Sequence, residues 1–568
     1  MDVNRAVGQK QKGTQVTKIE LMEGAAPEAV TRKRGTDIAA AVAAALALMS
    51  AGSAQAIEFG SDNPDIKMRW DNNFRYSAGL RVERAEGPIV NHPNHSSGDL
   101  KFERGEMINN RLDILSEFDF VYKGKSGFRV SAAAWYDNAY DDKVKHLPGV
   151  VSPYFNDRYS TYTKRFTSGP SAEILDAFVF TQLMIGEVPI NIKAGRYAEY
   201  WGETLFATYS GVNYGQAPVD IYKALASPGS EVKELFMPTR KVSFQAQLLP
   251  ELSIAAYKAL EFAIDRIPDG GTYFGDNDLA FNGVQRGQLA PGFVVTQIKE
   301  RKGDDHDAWG ANVRWTPKWL DGTVGFYYRK FDEKIPYGVQ FDFANALYRL
   351  GYGKDTELYG LSLAKAIGGV SVGLDVAYRK DTALLSAANH VDDTTYAKGD
   401  VLFAVLNGIW TFSKNPVWSH AVFIAEANWT HLDKLTESPQ LATLAGTPGC
   451  GGGSKWSGCT HKDAWAVNTA FTPSWDQVLP SVDVSLPMTF GIGVRNNGVT
   501  PGSSNQGQGS YSIGVSASVG NQWFFTLKYI DYLVRYQQEN GIKTIHNGQG
   551  DSLIPDRGWV SFTAKTSF

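Results

Sequence analysis

The feature that most constrains this chain is a repeated alternation of apolar and polar residues along short stretches. Residues 66–82 show it most clearly, because apolar residues such as Trp70 and Phe74 alternate with charged neighbours such as Arg69 and Arg75. A period of two is that of a β-strand, whose successive side chains point to opposite faces. A helix would need apolar residues at a spacing of about 3.6, which this stretch lacks. Such a strand can turn one face to lipid and the other to a polar lumen.

The same alternation recurs along the chain and predicts eighteen strands. We expect them at 66–82, 111–122, 128–137, 174–182, 189–197, 241–249, 252–260, 307–315, 323–331, 356–365, 370–379, 399–412, 419–430, 463–472, 482–494, 510–519, 522–533 and 556–568. Short connections alternate with long ones throughout, as in an outer-membrane barrel. The sequence therefore predicts an all-β fold: a transmembrane antiparallel β-barrel of 16–18 strands with short periplasmic turns and long extracellular loops.

The overall composition agrees with a barrel and excludes other classes. Of 568 residues, 43% are hydrophobic, and the mean hydropathy is −0.26, whereas a bundle of membrane-spanning helices would be clearly apolar. Aromatic residues make up 12%, which excludes a disordered chain. The formal net charge of −4 lacks the basic surplus of nucleic-acid-binding proteins, so no nucleic-acid partner is expected.

The N-terminal region predicts an export signal. A basic cluster at 32–34 precedes the apolar run 38–49, and the small residues of 50–56 end in Ala-Gln-Ala. This order of basic region, apolar core and small-residue exit is typical of a cleaved signal peptide. The apolar run is too short to span a bilayer. We expect residues 1–56 to be removed and residues 57–568 to form one barrel domain in the bacterial outer membrane. Translation starting at the first or at the second methionine stays open.

Two cysteines, Cys450 and Cys459, enclose a glycine-rich segment. An exported protein meets an oxidising compartment, so the spacing predicts a disulfide within a loop. A metal site would need more ligands than the neighbouring His461 supplies. No metal or other cofactor is therefore expected.

Two further patterns suggest chemistry but have simpler structural explanations. Residues 369–373 match Gly-x-Ser-x-Gly, the hydrolase elbow, which needs a strand, a sharp turn and a helix. Ser371 instead opens an alternating strand, so we expect no enzyme activity from it. The acidic clusters 137–142 and 304–307 contain the oxygen ligands that Ca²⁺ prefers. Solvated loop carboxylates are the simpler interpretation of both clusters.

The connection 198–240 differs from the other long loops, because it mixes aromatic residues with charges of both signs. Long loops of this kind are usually functional or disordered, and the aromatic content argues against disorder. We expect it to fold into the lumen as a constriction or plug; a cap outside the barrel is the alternative. Opposed charges across a constriction would orient a solute. The candidate gating residues are Arg196, Trp201, Glu203, Asp220, Glu231, Lys233 and Glu234.

Several motifs occur in the order typical of one family of Gram-negative outer-membrane proteins. They are Trp135-Tyr136-Asp137, Gly195-Arg196, Trp201-Gly202-Glu203, Pro228-Gly229, Glu231, Lys233, Glu234, Gly271-Thr272-Tyr273-Phe274 with Asp278, Tyr359-Gly360-Leu361-Ser362, Tyr378-Arg379, and Leu479-Pro480 with Asp483 and Leu486-Pro487. On these residues the mature chain resembles the family named domain of unknown function 1302 over nearly its whole length. Asp375 departs from the family pattern, in which Glu is usual.

The resemblance implies a channel or transporter for hydrophobic or amphipathic small molecules. Genes of the family often adjoin those for a periplasmic lipid-carrier-like protein and an inner-membrane efflux pump, so both become expected partners. Outer-membrane lipid and lipopolysaccharide would surround the barrel, and the barrel-assembly machinery would insert it. A closing strand that ends on Phe568 resembles the insertion signal of such barrels. Two other functions stay open: a surface adhesion or assembly scaffold, and an outer-membrane hydrolase.

Overall fold

The computed structural model describes most of residues 57–568. The described residues are 57–59, 61–303, 308–534, 536–539, 542–545 and 554–568. The predicted export signal 1–56 and the acidic cluster 304–307 lie outside the described residues. Within the described ranges, no helix is both long enough and apolar enough to cross a membrane.

Eighteen antiparallel strands form the body of the protein. They are β1 Ile66–Arg81, β2 Met107–Tyr122, β3 Ser126–Asp137, β4 Ser171–Ile185, β5 Val188–Tyr197, β6 Thr239–Leu249, β7 Leu252–Ala259, β8 Trp309–Trp315, β9 Gly322–Phe331, β10 Thr356–Ile367, β11 Val370–Ala383, β12 Lys398–Phe412, β13 His420–Glu437, β14 Asp463–Leu479, β15 Val482–Ser485 with Met488–Arg495, β16 Gly509–Val519, β17 Trp523–Leu533 and β18 Trp559–Ser567. Pro487 lies in the interruption of β15, since proline cannot donate to a strand ladder. The eighteen predicted strands are confirmed, with ends that shift by up to seven residues.

The sheet closes on itself because the last strand pairs with the first. The register of β18 with β1 runs from Asn73 opposite Ser567 to Arg81 opposite Trp559. Beyond it, the backbone amide of Phe568 donates to the carbonyl of Asn72 at 2.9 Å. The rings of Phe568 and Phe74 stack with centroids 5.2 Å apart. Closure pairs the edge strands that an open sheet would leave exposed.

Connections alternate in length around the barrel, as predicted. The short ones are 123–125, 186–187, 250–251, 316–321, 368–369, 413–419, 480–481 and 520–522. The long ones, from 82–106 to 534–558, all leave the opposite end. Both ends of the sheet, at the start of β1 and the end of β18, therefore lie at the short-turn end, which is periplasmic in outer-membrane barrels.

The barrel has its polar residues inside and its apolar residues outside. In β1, Arg75 and Arg81 are buried whereas Leu80 is 40% exposed. In β18, Ser561 is buried and Phe562 is exposed. A soluble protein buries its apolar face, so this reversed pattern shows a surface built for lipid.

The long loops carry the remaining elements. The helices are α1 Gly87–Val90, α2 Ser96–Leu100, α3 Thr161–Phe166, α4 Ile221–Ala226 and α5 Val232–Leu235, and the single 3-10 turns are Phe155–Asp157, Pro439–Leu441, Pro448–Cys450 and Lys455–Ser457. Loop strands Arg286–Ala290, Phe293–Gln297, Pro336–Asp342, Leu347–Tyr352 and Asn389–His390 form a separate five-stranded sheet. The pair Tyr536–Glu539 and Ile542–Ile545 forms a hairpin, and Ile57–Phe59 pairs with β1.

Three sequence patterns of possible chemistry can now be placed. Cys450 and Cys459 form the predicted disulfide. Ser371 lies in β11 and is followed by strand, so the strand–turn–helix elbow of a hydrolase does not form there. In the cluster 137–142, Asp141 pairs with Lys101 at 2.5 Å. Within the described part of the chain, no group of three His, Cys, Asp or Glu side chains is arranged to hold a metal ion.

Candidate functional site: a plug bound to the inner wall

The connection from β5 to β6, residues 198–238, folds into the barrel. Tyr197 and Thr239, at its two ends, face each other in the ladder. Between them the chain contacts lumen-facing side chains of β1, β2, β7–β9, β11–β13 and β18. We call 198–238 the plug, and the lumen-facing side chains of the barrel strands the inner wall.

Trp201 packs the first part of the plug against the wall. Its ring lies 5.1 Å from that of Tyr257 on β7 and 5.9 Å from that of Tyr327 on β9. The wall has room for it because β8 carries Gly310 there; a Cβ atom at that position would lie 3.1 Å from the indole. The backbone amide of Trp201 donates to the side-chain oxygen of Gln216 at 2.9 Å, which ties two parts of the plug together.

Asp375 on β11 receives the next part of the plug. Its carboxylate accepts hydrogen bonds from the Glu203 amide at 3.0 Å and from the Thr204 hydroxyl at 2.8 Å. The amide nitrogen of Asn407 on β12 donates to the Glu203 carbonyl at 2.6 Å. The Glu203 carboxylate lies 4.0 Å from the guanidinium of Arg314. The residue that departs from the family pattern is thus a buried attachment point for the plug.

Glu426 on β13 binds the plug backbone directly. Its two carboxylate oxygens accept hydrogen bonds from the amides of Leu205 at 2.6 Å, Phe206 at 2.9 Å and Ala207 at 2.5 Å. Hydrogen bonds to a charged acceptor are stronger than neutral ones. One buried carboxylate therefore satisfies three consecutive backbone donors.

Two buried arginines on the inner wall bind carbonyl groups of the plug. Arg329 on β9 donates at 2.7 Å to the carbonyls of both Val212 and Tyr214. Arg379 on β11 donates to the carbonyl of Tyr209, and its guanidinium lies 3.6 Å from the centroid of the Tyr214 ring. Guanidinium groups suit such sites because they combine several donors with a flat stacking face.

Loop residues above the barrel contact the plug as well. The Tyr209 hydroxyl donates to Asp265 at 2.6 Å, and the Val219 amide donates to the same carboxyl at 2.9 Å. Burial raises the pKa of Asp265 to about 6, against hydrogen bonds that favour its charged form. The Tyr214 hydroxyl donates to Glu333 in the loop 332–355. The plug is therefore covered on its extracellular side.

Asp220 marks the point at which the plug turns toward the opposite wall. Its side chain caps α4 by accepting the Lys223 amide at 2.8 Å and forms an ion pair with Arg266. Arg266 also pairs with Glu173 on β4 at 3.0 Å. Asp220 is thus linked to the wall through one arginine.

The second part of the plug is held by ion pairs at the seam of the barrel. Glu234 accepts two hydrogen bonds from Arg75 on β1, at 2.7 and 3.1 Å. Lys233 pairs with Glu117 on β2, and Glu231 pairs with Lys565 on β18. Three consecutive strands across the closure therefore contact α5 and the residue before it.

The structure brings six of the seven candidate gating residues together in the plug. The seventh, Arg196, lies on β5 opposite Ala177 and Arg240. This register puts it in the outward-facing set, and it pairs with Glu261 at 3.1 Å. Its placement differs from the expectation because the neighbouring Tyr197 takes the inward position of the strand.

The wall partners of the plug were not predicted. They include Arg75, Arg329, Arg379, Asn407 and Glu426, together with Asp375. A signal did exist in the sequence: each is a polar or charged residue in the middle of an alternating strand. Such residues are costly to bury without partners, so their presence indicates something polar to bind.

These features define a class of protein. A closed sheet with an apolar exterior, a polar interior and a segment bound inside the lumen is an outer-membrane β-barrel. The chain belongs to the family described as protein of unknown function (DUF1302), whose model matches residues 37–568. No curated protein matches the sequence.

Several solved structures are similar to this chain. The outer membrane channel DcaP of Acinetobacter baumannii has 10% identity and a TM-score of 0.36, with 90% of this chain and 99% of that chain covered. Pseudomonas aeruginosa OpdK with vanillate has 9% identity and a TM-score of 0.38, with 88% and 98% covered. A BenF-like porin from Pseudomonas fluorescens Pf-5 has 7% identity and a TM-score of 0.38, with 89% and 98% covered.

Proposed function

We propose that this protein is an outer-membrane channel for hydrophobic or amphipathic small molecules, and that it opens when the plug leaves the inner wall. The observation that carries the proposal is the way the plug is held. Buried charged side chains of the wall bind its backbone and its acidic and basic groups, as Glu426 and Arg75 show. A barrel of this size encloses a lumen that a solute can use once the plug moves.

Polar attachment suits a gate. A hydrogen bond to a charged group contributes only about 1.5–3 kcal/mol net, because water replaces the partner when the contact opens. A few such contacts give a closed state that differs little in free energy from the open state, so the loss of one or two contacts can shift the equilibrium toward opening. The glycines of the wall are consistent with this, since Gly373 and Gly310 leave space for the plug beside the strands.

The route to and from the channel is part of the same proposal. Residues 1–56 would direct export and be removed, which leaves the barrel from residue 57 onward. The family resemblance supports a periplasmic carrier and an inner-membrane efflux pump as partners that deliver the solute. In that arrangement, solutes reach the plug from the short-turn end.

Deleting the plug tests the proposal. Because Tyr197 and Thr239 are neighbours in the ladder, a short Gly-Ser linker can replace residues 203–235 while the barrel stays closed. We expect larger and more frequent single-channel currents in planar bilayers, and faster solute uptake into liposomes. Heat-modifiable migration in gels is the control for a folded barrel. A folded deletion variant with unchanged conductance and uptake would contradict the proposal and favour a surface scaffold.

A further inference from the structure

Apolar side chains of the plug remain exposed inside the barrel. Leu205 and Phe206 are 40% and 39% exposed, and Val232 is 66% exposed. The backbone amides of Leu205 and Phe206 are bound to Glu426 on the inner wall. Their exposed area therefore faces open space within the lumen rather than the outer surface. Clustered apolar area that stays open in this way is typical of a binding surface.

This apolar face lies on the periplasmic side of the plug. β11 rises from the short-turn end at Val370, so Asp375 is about 16 Å along the strand and Arg379 is farther on. Asp375 binds Thr204, whereas Arg379 binds Tyr209. The segment that carries Leu205 and Phe206 is therefore lower in the lumen than the part that the extracellular loops cover.

Val232 is an exposed apolar residue of the second part of the plug, at the seam of the barrel. Its neighbours Glu231 and Lys233 pair with Lys565 and Glu117. Both partners belong to the lower parts of their strands, because β18 ends at Ser567 and β2 ends at Tyr122. Exposed apolar side chains of the plug therefore lie toward the short-turn end, and we call the space beside Leu205 and Phe206 on this side the vestibule.

A cation lies beside this surface. Arg314 follows the lumen-facing Asn312 by two residues on β8, its side chain is 49% exposed, and the nearest carboxylate, that of Glu203, is 4.0 Å away. A guanidinium of this kind recognises carboxylate, sulfate or phosphate groups. The chain from Glu203 to Phe206 spans at most about 10 Å. A charged head at Arg314 and an apolar tail along the plug are therefore within the length of one small molecule.

We infer that this vestibule is a binding site for amphipathic anions that arrive from the periplasm. The acidic head lies at Arg314, and the apolar tail lies against Leu205 and Phe206. The inference rests on the proposed channel function and names the solute class and the side of entry. Thiol labelling measures binding alone. It can therefore show no binding site in a protein that conducts as proposed, and it can show a binding site in a protein that does not conduct.

Alkylation of a single thiol tests the site. Both native cysteines are paired in the disulfide, so Phe206→Cys introduces one reactive thiol in the full-length protein in lipid nanodiscs. A membrane-impermeant maleimide should label it, and dodecanoate should slow the labelling about fivefold. Dodecyltrimethylammonium, with the same tail and the opposite charge, should change the rate less than about twofold. Adding Arg314→Gln should abolish the protection by dodecanoate.

A matched control separates the site from general effects of an amphiphile. Phe343 is 62% exposed in the loop 332–355, so Phe343→Cys should react equally with and without dodecanoate. The inference is overturned if the thiol at position 206 does not react. It is also overturned if both amphiphiles protect that thiol equally, or if protection survives Arg314→Gln.

Discussion

The carboxylate of Glu426 accepts a hydrogen bond of 2.6 Å from the backbone amide of Leu205, which precedes it by 221 residues. The same carboxylate serves the next two amides as well. A wall residue of β13 thereby fixes the segment of the plug that carries Leu205 and Phe206. In the channel that we propose, such contacts hold the plug in the closed state.

Glu426→Ala should loosen the plug. It removes the acceptor of three amide donors, and an unsatisfied buried donor costs about 1–3 kcal/mol. We expect single-channel open probability to rise at least about tenfold. Glu426→Gln keeps one acceptor oxygen, so its open probability should lie between that of the native protein and that of Glu426→Ala. Glu437→Gln, which alters the pair with Lys398 at the end of the same strand, is the control and should behave as the native protein does.

The plug packs against wall positions that have no side chain, such as Gly360. A Cβ atom at Gly360 would lie 2.7 Å from a methyl carbon of Val212, so Gly360→Leu should displace the plug at a cost of about 1–3 kcal/mol. We expect higher conductance in planar bilayers. Adding Val212→Ala removes the clashing methyl group and should restore most of the closed state. Equal conductance of the single and double variants would argue against this contact.

Acid should weaken the seam contact between Glu234 and Arg75. Burial alone would raise the pKa of the Glu234 carboxyl, but the Arg75 guanidinium outweighs burial and the net pKa lies below the usual 4.5. The pair therefore contributes fully to the stability of the bound plug above about pH 4.5. This contribution is lost as the pH falls through the lowered pKa of Glu234. Open probability should stay constant above about pH 4.5 and rise as the pH falls below it. Glu234→Gln should show a smaller rise, and an identical pH profile would contradict the assignment.

The barrel strands could be predicted from the sequence better than the contacts between the plug and the inner wall. Alternation is a local signal, so β1 and β11 could be located from their own residues. The plug could be expected from its mixture of aromatic and charged residues, and Glu203 and Glu234 lie within it. Glu426 could not be matched to Leu205, because contacts between distant residues leave no local pattern. Arg196 shows the same limit, since one residue of register decides whether a side chain faces the lumen.

The disulfide should stabilise the barrel without controlling the channel. Cys450 and Cys459 are nine residues apart in the loop 438–462, for which loop-closure entropy predicts about 2–3 kcal/mol. Reduction should lower the free energy of unfolding in denaturant by about that amount. Single-channel conductance should stay unchanged, because neither cysteine contacts the plug among the described hydrogen bonds and ion pairs. Altered gating on reduction would contradict this separation.

Phe568 should matter for assembly rather than for gating. Its ring stacks on Phe74 and its backbone pairs with Asn72 where the barrel closes. Phe568→Ala removes the stacking at the seam and the expected insertion signal. We expect less heat-modifiable, folded protein in outer-membrane fractions, with native conductance for the molecules that do fold. Ser567→Ala is the matched control, and a similar loss in that variant would show that Phe568 has no special role.

A reversible cross-link between the plug and the wall tests the central claim most directly. A Cβ atom at Gly373 would lie 3.0 Å from the Cβ of Glu203, close enough for a disulfide in Glu203→Cys/Gly373→Cys after a small adjustment. Single-channel recording should show no openings of the oxidised variant and restored openings after reduction, while the native protein and each single variant respond to neither treatment. Equal conductance of the oxidised and reduced double variant, with the cross-link verified by mass spectrometry, would contradict a plug that gates this channel.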